Sequence, residues 1–252
     1  MRLHHRLAGK AGAPALVLSP SLGSTLEMWA PQVEELTERF LVVRYDRRGH
    51  GGSPVPRGPY SLDELGRDLL ELLDELGLER VSFCGLSLGG MVGMWLASEA
   101  PERVDRLVLS CTAPALPPRE QWLERAAIVR SQGVAAVADA VLARWFTAAA
   151  PAQVVERFRE LLVATPAEGY AGCCEALAEL DLHDRLAAIE APTLVLTGSE
   201  DPGIPPATGA ALAAAIAGAR HVSIPEAAHL ASAEQPTRFN ELLLDHLTEE
   251  AR

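Results

Sequence analysis

Short uninterrupted apolar runs punctuate the chain, and their residue types favour β-strands. Six of these runs are continuous rather than alternating, as expected for parallel strands that are covered on both faces. They span residues 15–18, 40–43, 81–84, 107–109, 193–196 and 221–224. A less regular stretch over residues 3–7 predicts an antiparallel edge strand. The pattern therefore indicates a mostly parallel sheet.

Segments with helical periodicity separate the predicted strands. Ser61 and Glu64 have the spacing of a capping box, and leucines then recur at helical spacing until Gly77. Further helices are predicted over residues 88–100, 206–217 and 236–247. Strands that alternate with helices indicate a doubly wound α/β fold.

The alternation of strands and helices stops between about residues 113 and 189. This segment contains helical patterns but no convincing strand, and the patterns cover residues 122–123, 128–129, 134–145, 154–163 and 173–182. We predict a single domain over residues 1–252, with a core formed by residues 1–112 and 190–252. The segment between them is predicted to be a helical cap over the carboxyl edge of the sheet.

Size and charge limit the classes of function. The chain has 252 residues, of which 48% are hydrophobic, so it can bury the core of one large domain. Its 22 basic and 34 acidic residues give a net charge of -12. Such a surface repels nucleic acids and anionic membranes, and we expect neither as a partner. A substrate that carries a carboxylate would have to be captured by local arginines.

Cysteine usage and the start of the chain bear on location. The cysteines are Cys84, Cys111, Cys173 and Cys174. Their spacing matches neither a zinc site nor a redox motif, so we expect no metal and interpret them as buried thiols in a reducing compartment. No apolar signal-peptide segment follows the first residues, and we therefore expect a cytoplasmic protein.

One uncharged segment has the length of a membrane span. Residues 81–98 carry no charged side chain, but glycines interrupt them and their two halves differ in pattern. The first half is typical of a strand and the second half of a helix. A buried strand, turn and helix is the better interpretation.

The turn inside this segment carries a nucleophile motif. Residues 85–89 have the sequence Gly-Leu-Ser-Leu-Gly, directly after a predicted strand and directly before a predicted helix. At such a junction the G-x-S-x-G pattern raises the serine above the sheet on strained backbone that tolerates only small neighbours. We predict Ser87 as the nucleophile and the Leu88 amide as one oxyanion donor. A serine that only caps the helix is the alternative, but it leaves the flanking glycines unexplained.

A serine hydroxyl needs a base, and His229 is the best placed of the seven histidines. It lies between the last predicted strand and the last predicted helix, at the carboxyl edge where Ser87 also lies. His221 begins that strand and belongs to the opposite edge, and His246 is expected on a solvated helix face. His183 lies in the predicted cap and remains an alternative base.

The acid that orients the base is expected at the same edge of the sheet. Asp201 directly follows the sixth predicted strand, and we predict that it fills this role. Neighbouring Glu200 is the second choice, and an aspartate that only shapes the turn is the structural alternative. The chain order Ser87, Asp201, His229 is the order used by hydrolases that carry a G-x-S-x-G turn.

The second oxyanion donor is expected in the loop after the strand at residues 15–18. Pro20 has no amide hydrogen, so Ser21 is the first choice and Leu22 is the alternative. Removing such a donor typically lowers the rate by on the order of a hundredfold.

These segments resemble the α/β hydrolases over nearly the whole chain, and more narrowly the 3-oxoadipate enol-lactonases of the β-ketoadipate branch of aromatic catabolism. The segments similar to α/β hydrolases in general are residues 46–51, 85–89, 198–201 and 225–229. The segments similar to the lactonases are residues 21–24, 28–29, 31–32, 85–91, 144–146 and 169–174. Pro20 is a departure, since the similar lactonases usually carry asparagine before Ser-Leu-Gly.

The resemblance implies a cofactor-free serine hydrolase of the α/β-hydrolase fold that opens a small carboxylate-bearing enol-lactone through an acyl-enzyme. It implies that Arg144 pairs with the substrate carboxylate and that Trp145 forms an apolar wall. A solvated arginine and ordinary packing of the tryptophan are the alternatives. The expected partner is a small ester or lactone, and a homo-oligomer is compatible with the sequence.

Other functions stay open at the level of sequence. One is a generic carboxylesterase or lactonase, and another is a carbon–carbon bond hydrolase of the same fold. A third is a small-molecule binding protein without turnover. A complete set of serine, aspartate and histidine counts against the third, because a receptor has no need for all three.

Overall fold

A computed structural model describes residues 1–249, and a seven-stranded sheet forms its centre. The strands are β1 (His5–Ala8), β2 (Ala15–Ser19), β3 (Leu41–Tyr45), β4 (Val81–Leu86), β5 (Val104–Ser110), β6 (Thr193–Gly198) and β7 (Arg220–Ile224). Their order across the sheet is β1-β3-β2-β4-β5-β6-β7. Neighbouring strands are parallel except β1 and β3, in which His5 lies opposite Tyr45. The predicted mostly parallel sheet and its antiparallel edge strand are confirmed.

The central strands are buried along their whole length. All residues of β2, β4 and β6 are buried, although successive side chains of a strand point to opposite faces of the sheet. Both faces of these strands therefore lack contact with water. This burial accounts for the continuous rather than alternating apolar runs in the sequence.

Helices connect the strands. Within residues 1–249 the α-helices are α1 (Ala30–Leu36), α2 (Leu62–Glu75), α3 (Leu88–Glu99), α4 (Arg119–Gln132), α5 (Ala135–Trp145), α6 (Ala152–Val163), α7 (Ala167–Ala178), α8 (Pro206–Ala215), α9 (Ala231–Glu234) and α10 (Pro236–Thr248). Short 3-10 helices cover Leu26–Trp29, Pro101–Arg103 and His183–Ala188. The predicted capping box is present at the start of α2, where the Glu64 amide donates to Ser61 Oγ at 3.2 Å and the Ser61 amide donates to Glu64 Oε2 at 2.9 Å.

Three helices differ from the prediction. The pattern misses α1 and α9, because seven and four residues are too few to show a helical period. The helix predicted over residues 173–182 begins earlier, as α7, and ends at Ala178. Gly169 lies inside α7 although glycine lowers helix propensity. A Cβ atom at Gly169 would lie 1.9 Å from the Gly49 carbonyl oxygen, so close packing outweighs propensity here.

The uncharged segment at residues 81–98 forms β4 and most of α3, as its two halves predict. Among the residues described, no helix combines the length and the apolar character needed to cross a membrane.

Helices α4 to α7 lie between β5 and β6, in the segment that we predict to be a cap. Helix α4 packs along α7, and α5 contacts both α4 and α6. No strand occurs between Ser110 and Thr193, a stretch that the structure describes completely. The division of the chain into core and cap remains a prediction. The helices nevertheless supply several side chains to the site described below.

Candidate active site

Ser87 occupies the sharp turn between β4 and α3. Its backbone angles are φ 57° and ψ -119°, a conformation that non-glycine residues rarely adopt. A Cβ atom at Gly85 would lie 2.2 Å from the Gly89 carbonyl oxygen, and one at Gly89 would lie 2.2 Å from the Ser19 carbonyl oxygen. The glycines on both sides of Ser87 are therefore required by space, as the motif predicts.

Hydrogen bonds to the neighbouring strand hold this turn. The Ser87 amide donates to the Ser110 carbonyl at 2.9 Å, and Thr112 Oγ1 donates to the Ser87 carbonyl at 2.8 Å. The amide and the carbonyl of Ser87 are thus both bonded to residues at the end of β5 or just beyond it. Leu88 follows as the first residue of α3, where an amide has no acceptor within its own helix.

Asp201 and His229 form a close pair at the carboxyl edge of the sheet. His229 Nδ1 lies 2.7 Å from Asp201 Oδ2, and the Asp201 carboxylate is fully buried. The other oxygen, Oδ1, accepts from the amides of Gly203 at 2.8 Å and Ile204 at 2.9 Å. Burial disfavours the charged carboxylate, but the hydrogen bond from His229 and these amides outweigh it, and the pKa of Asp201 lies below its ordinary value. Glu200, the second choice for the acid, is exposed.

The loop that carries His229 is tied to the helices above it. Glu234 Oε2 accepts from the Ala228 amide at 2.6 Å, and Glu234 Oε1 accepts from the amide and the hydroxyl of Thr147, each at 2.8 Å. The Leu230 amide donates to the Trp145 carbonyl at 2.9 Å. These bonds fix the histidine loop against the end of α5.

Ser87, Asp201 and His229 line one cavity of about 230 Å³. Ser21, Arg144 and Trp145, which the sequence also singles out, line the same cavity. Leu88, the residue after Ser87, is buried. A larger hollow of about 430 Å³ lies between the start of α2 and the end of α7, but no residue of the predicted triad lines it. The smaller cavity is therefore the candidate active site.

The remaining histidines lie away from this cavity. The alternative base His183 is paired with Asp181 at 2.7 Å on the surface, and His221 Nε2 lies 2.8 Å from Thr197 Oγ1. The expectation that His246 is solvated is wrong. Its ring is buried beside the Pro192 carbonyl, 3.1 Å from Nε2, because α10 packs back onto β5.

The loop after β2 bears on the choice between Ser21 and Leu22 as the second oxyanion donor, a role that remains a prediction. The Ser21 amide donates to Met28 Sδ at 3.2 Å, so it is engaged on the side of the buried methionine. The Gly23 amide donates to His50 Nε2 at 3.0 Å, and the buried Arg47 side chain donates to the Pro20 carbonyl. Among the residues described, the Leu22 amide has no acceptor. These contacts favour the alternative, Leu22, as the predicted donor.

Several cavity residues have no signal in the sequence pattern. Helix α4 contributes Gln121, Trp122 and Arg125, and α7 contributes Tyr170. From the sequence alone, an arginine or a tryptophan on a helix cannot be recognised as lining a cavity, because the face of the helix that lies against the cavity is not known. The predicted Arg144 is half-buried at the end of α5, and burial followed by the charge of Arg125 lowers its pKa. Trp145 packs edge-on against Phe158, with 6.3 Å between ring centroids.

Sequence comparison assigns the class of protein. Residues 14–236 match the family described as alpha/beta hydrolase fold, and the chain belongs to this family. The predicted fold class is confirmed, and so is the prediction of a hydrolase that acts on ester bonds.

The names of individual relatives describe an activity more specifically than the family does. The chain is 40% identical to 3-oxoadipate enol-lactonase 2 of Acinetobacter baylyi over 242 residues, covering 94% of this chain and 90% of that protein. The solved enol-lactonase of Burkholderia xenovorans LB400 is 44% identical, with a TM-score of 0.95 and coverage of 98% of this chain and 96% of that chain. A thermophilic esterase from Thermogutta terrifontis, solved with malate bound, is 32% identical, with a TM-score of 0.92 and coverage of 97% and 92%. The resemblance to 3-oxoadipate enol-lactonases is confirmed.

Proposed function

We propose that this protein hydrolyses 3-oxoadipate enol-lactone to 3-oxoadipate in the β-ketoadipate branch of aromatic catabolism, with Ser87, His229 and Asp201 as its catalytic triad. The observation that carries this proposal is the Asp201–His229 pair, 2.7 Å apart, on the cavity that Ser87 also lines. Two relatives named 3-oxoadipate enol-lactonase, 40% and 35% identical over more than nine-tenths of this chain, support the choice of substrate.

Acylation begins when Ser87 Oγ attacks the lactone carbonyl carbon and His229 Nε2 accepts the hydroxyl proton. Asp201 holds Nδ1 and stabilises the imidazolium that forms. The bond between the carbonyl carbon and the ring oxygen then breaks, and the leaving group is an enolate. An enolate is a good leaving group, so this step needs little help from a strong acid. The enolate then takes up the proton that His229 holds, directly or through water, which gives the ketone and returns the imidazole to its neutral form before deacylation.

Deacylation uses the same base. His229 accepts a proton from water, the hydroxide attacks the acyl carbon, and the bond to Ser87 Oγ breaks. The proton returns to Ser87, and the product leaves with one more carboxylate than the lactone had. Both tetrahedral intermediates carry an oxyanion, for which we assign the amides of Leu88 and Leu22 as donors.

The cavity matches the expected substrate in size and polarity. A volume of about 230 Å³ suits a small ring with a short side chain. Arg144 is our choice for binding the pendant carboxylate, and Trp145 is our choice for the apolar wall beside the ring. A carboxylesterase acting on another small ester is the second candidate, because the 32% identical Thermogutta protein is an esterase.

Assays on two substrates test the proposal. Freshly generated enol-lactone and p-nitrophenyl acetate would be offered to the wild type, to Ser87→Ala and to Ser98→Ala. We expect Ser87→Ala to lower turnover by at least about 10⁴-fold. Ser98 lies near the end of α3, the helix that follows Ser87, and its hydroxyl donates to the Trp95 carbonyl, so Ser98→Ala should keep full activity.

The outcomes separate the competing functions. Ester turnover without lactone turnover would favour the generic carboxylesterase. Turnover of neither substrate would favour a binding protein. Wild-type activity in a folded Ser87→Ala variant, checked by circular dichroism, would remove Ser87 from the role of nucleophile.

A further inference from the structure

Two arginines line the candidate active site and form no ion pair with an acidic residue that the structure describes. Arg125 on α4 and Arg144 on α5 both line the cavity, and within residues 1–249 neither makes an ion pair. Asp201 is the sole acidic residue among the described residues that line the cavity, and it is already bonded to His229. The lining therefore carries an excess of positive charge in a chain whose net charge is -12.

The other two arginines of α4 are both paired with glutamates. Arg119 is bonded to Glu179, and Arg130 is bonded to Glu168 and Glu175. The two exposed arginines of α4 are thus paired with glutamates of α7 or of the turn after it. Arg125, which lines the cavity, has no such pair among residues 1–249. This contrast indicates that the guanidinium of Arg125 is available to bind an anionic ligand in the cavity.

Neighbouring aromatic groups hold Arg125 in place. Its guanidinium carbon lies 4.7 Å from the centre of the Trp122 ring, a distance typical of a cation–π contact. Burial raises the pKa of the Tyr170 hydroxyl, against the opposing charges of Arg125 and Arg144, so both cations lie near this neutral hydroxyl. Tyr170 can therefore donate a hydrogen bond to an anion beside the two arginines.

Two like charges in one partly buried cavity repel each other, and each also loses contact with water. The lowered pKa of Arg144 reflects its burial first and the charge of Arg125 second. A bound anion would offset both effects, because a carboxylate accepts charge-assisted hydrogen bonds from two guanidinium groups at once.

We propose that Arg125 is a specificity-determining residue that binds a ligand carboxylate together with Arg144. The class of ligand is a small aliphatic carboxylate, carried on the ester or lactone that Ser87 attacks. This inference rests on the proposed function for the identity of the substrate, but the binding of a carboxylate can be measured without turnover.

A pair of matched ligands tests the anion site directly. Hexanoate and hexanamide have nearly the same shape and differ in charge, and their dissociation constants would be measured by isothermal titration calorimetry. In the wild type hexanoate should bind at least about tenfold more tightly, and Arg125→Met should remove most of that preference. Arg119→Met, on the same helix but outside the cavity, should retain it.

Equal binding of the two ligands by the wild type would overturn the inference, and so would an undiminished preference in Arg125→Met. Both results are independent of whether the enol-lactone is a substrate, so failure of the proposed function is distinguishable from failure of the anion site.

Kinetics provide the second measurement. If the lactone is turned over, Arg125→Met should raise its KM at least about tenfold, with a smaller effect on its kcat. Relative to neutral p-nitrophenyl acetate, kcat/KM for the lactone should fall by a similar factor, and Arg125→Lys should recover part of it. An equal loss on both substrates would show a structural role and overturn the assignment.

Discussion

His50 Nε2 accepts a hydrogen bond from the Gly23 amide at 3.0 Å, which links the loop after β3 to the loop that carries Leu22. An imidazole nitrogen that accepts is unprotonated, so the ring proton lies on Nδ1, which faces the Arg48 carbonyl at 3.3 Å. Burial, with a contribution from the charge of Arg47, lowers the pKa of His50 to about 3. The ring is neutral at physiological pH, and the Leu22 loop depends on that neutrality.

The neutral His50 should make the fold sensitive to acid. The unfolded chain binds a proton at this histidine below about pH 6.5, whereas the folded protein binds it only near pH 3. Between these values each decrease of one pH unit lowers the free energy of unfolding by about 1.4 kcal/mol. The variant His50→Gln has no titratable group at this position. When the pH is lowered from 7 to 5, the free energy of unfolding of the wild type should therefore fall by about 2 kcal/mol more than that of the variant.

Urea denaturation of both proteins at the two pH values measures this change. All other titratable groups are common to both proteins, so the comparison between them isolates position 50. A difference in stability that is the same at pH 7 and pH 5 would contradict the prediction.

Backbone ester substitution distinguishes the two oxyanion donors that the sequence leaves open. Replacing the Leu22 amide with an ester removes one N–H group and keeps the side chain, and kcat should fall by on the order of a hundredfold. The same replacement at Ser21 removes only the donor to Met28 Sδ, a weak acceptor, and should change kcat by less than about fivefold. The reverse order of effects would restore Ser21 as the donor.

Asp201→Asn tests the orientation of the base. An amide side chain at position 201 can donate to the imidazole and so favours the wrong tautomer of His229, and kcat should fall by about 10⁴-fold with little change in KM. The measurement is steady-state hydrolysis of the lactone near neutral pH. Asp181→Asn, which affects only the surface pair with His183, is the matched control. A loss of less than about tenfold would argue against Asp201 as the orienting acid.

Gly89→Ala tests the space beside the nucleophile turn. The added Cβ atom would lie 2.2 Å from the backbone oxygen of Ser19, which cannot move without shifting β2. We expect a loss of about 1–3 kcal/mol in the free energy of unfolding. At Gly203 the nearest atom to an added Cβ is Asp201 Oδ1 at 3.5 Å, so Gly203→Ala should be tolerated within about 1 kcal/mol. Equal thermal stability of the two variants would contradict this account.

The sequence predicts the triad positions because each follows a strand of a parallel sheet. Buried strands have a continuous apolar pattern, and their carboxyl ends share one edge, so Ser87, Asp201 and His229 can be placed together without coordinates. The G-x-S-x-G motif adds the strained turn, which depends only on local sequence. These features are set by short segments and by one rule of topology.

The direction of the Ser21 amide and the role of Arg125 depend on distant parts of the chain. The turn at Ser21 is set by Met28 and, through Gly23, by His50, and no local pattern encodes those contacts. Arg125 looks like any exposed arginine until the face of α4 that covers the cavity is known. His246 is misplaced for the same reason, because its burial depends on how α10 packs against the sheet.

The Glu234 carboxylate restricts how a ligand can enter. Its two oxygens join Thr147, just beyond α5, to Ala228, next to His229, the predicted base. An outward movement of α5 would therefore either break these bonds or displace the loop that carries His229. An opening for the ligand beside α5 would therefore displace the histidine that the reaction is predicted to need. We therefore expect the α5 side of the cavity to keep its position when a ligand enters, and we expect side chains of α4 and α7, which also line the cavity, to rearrange instead.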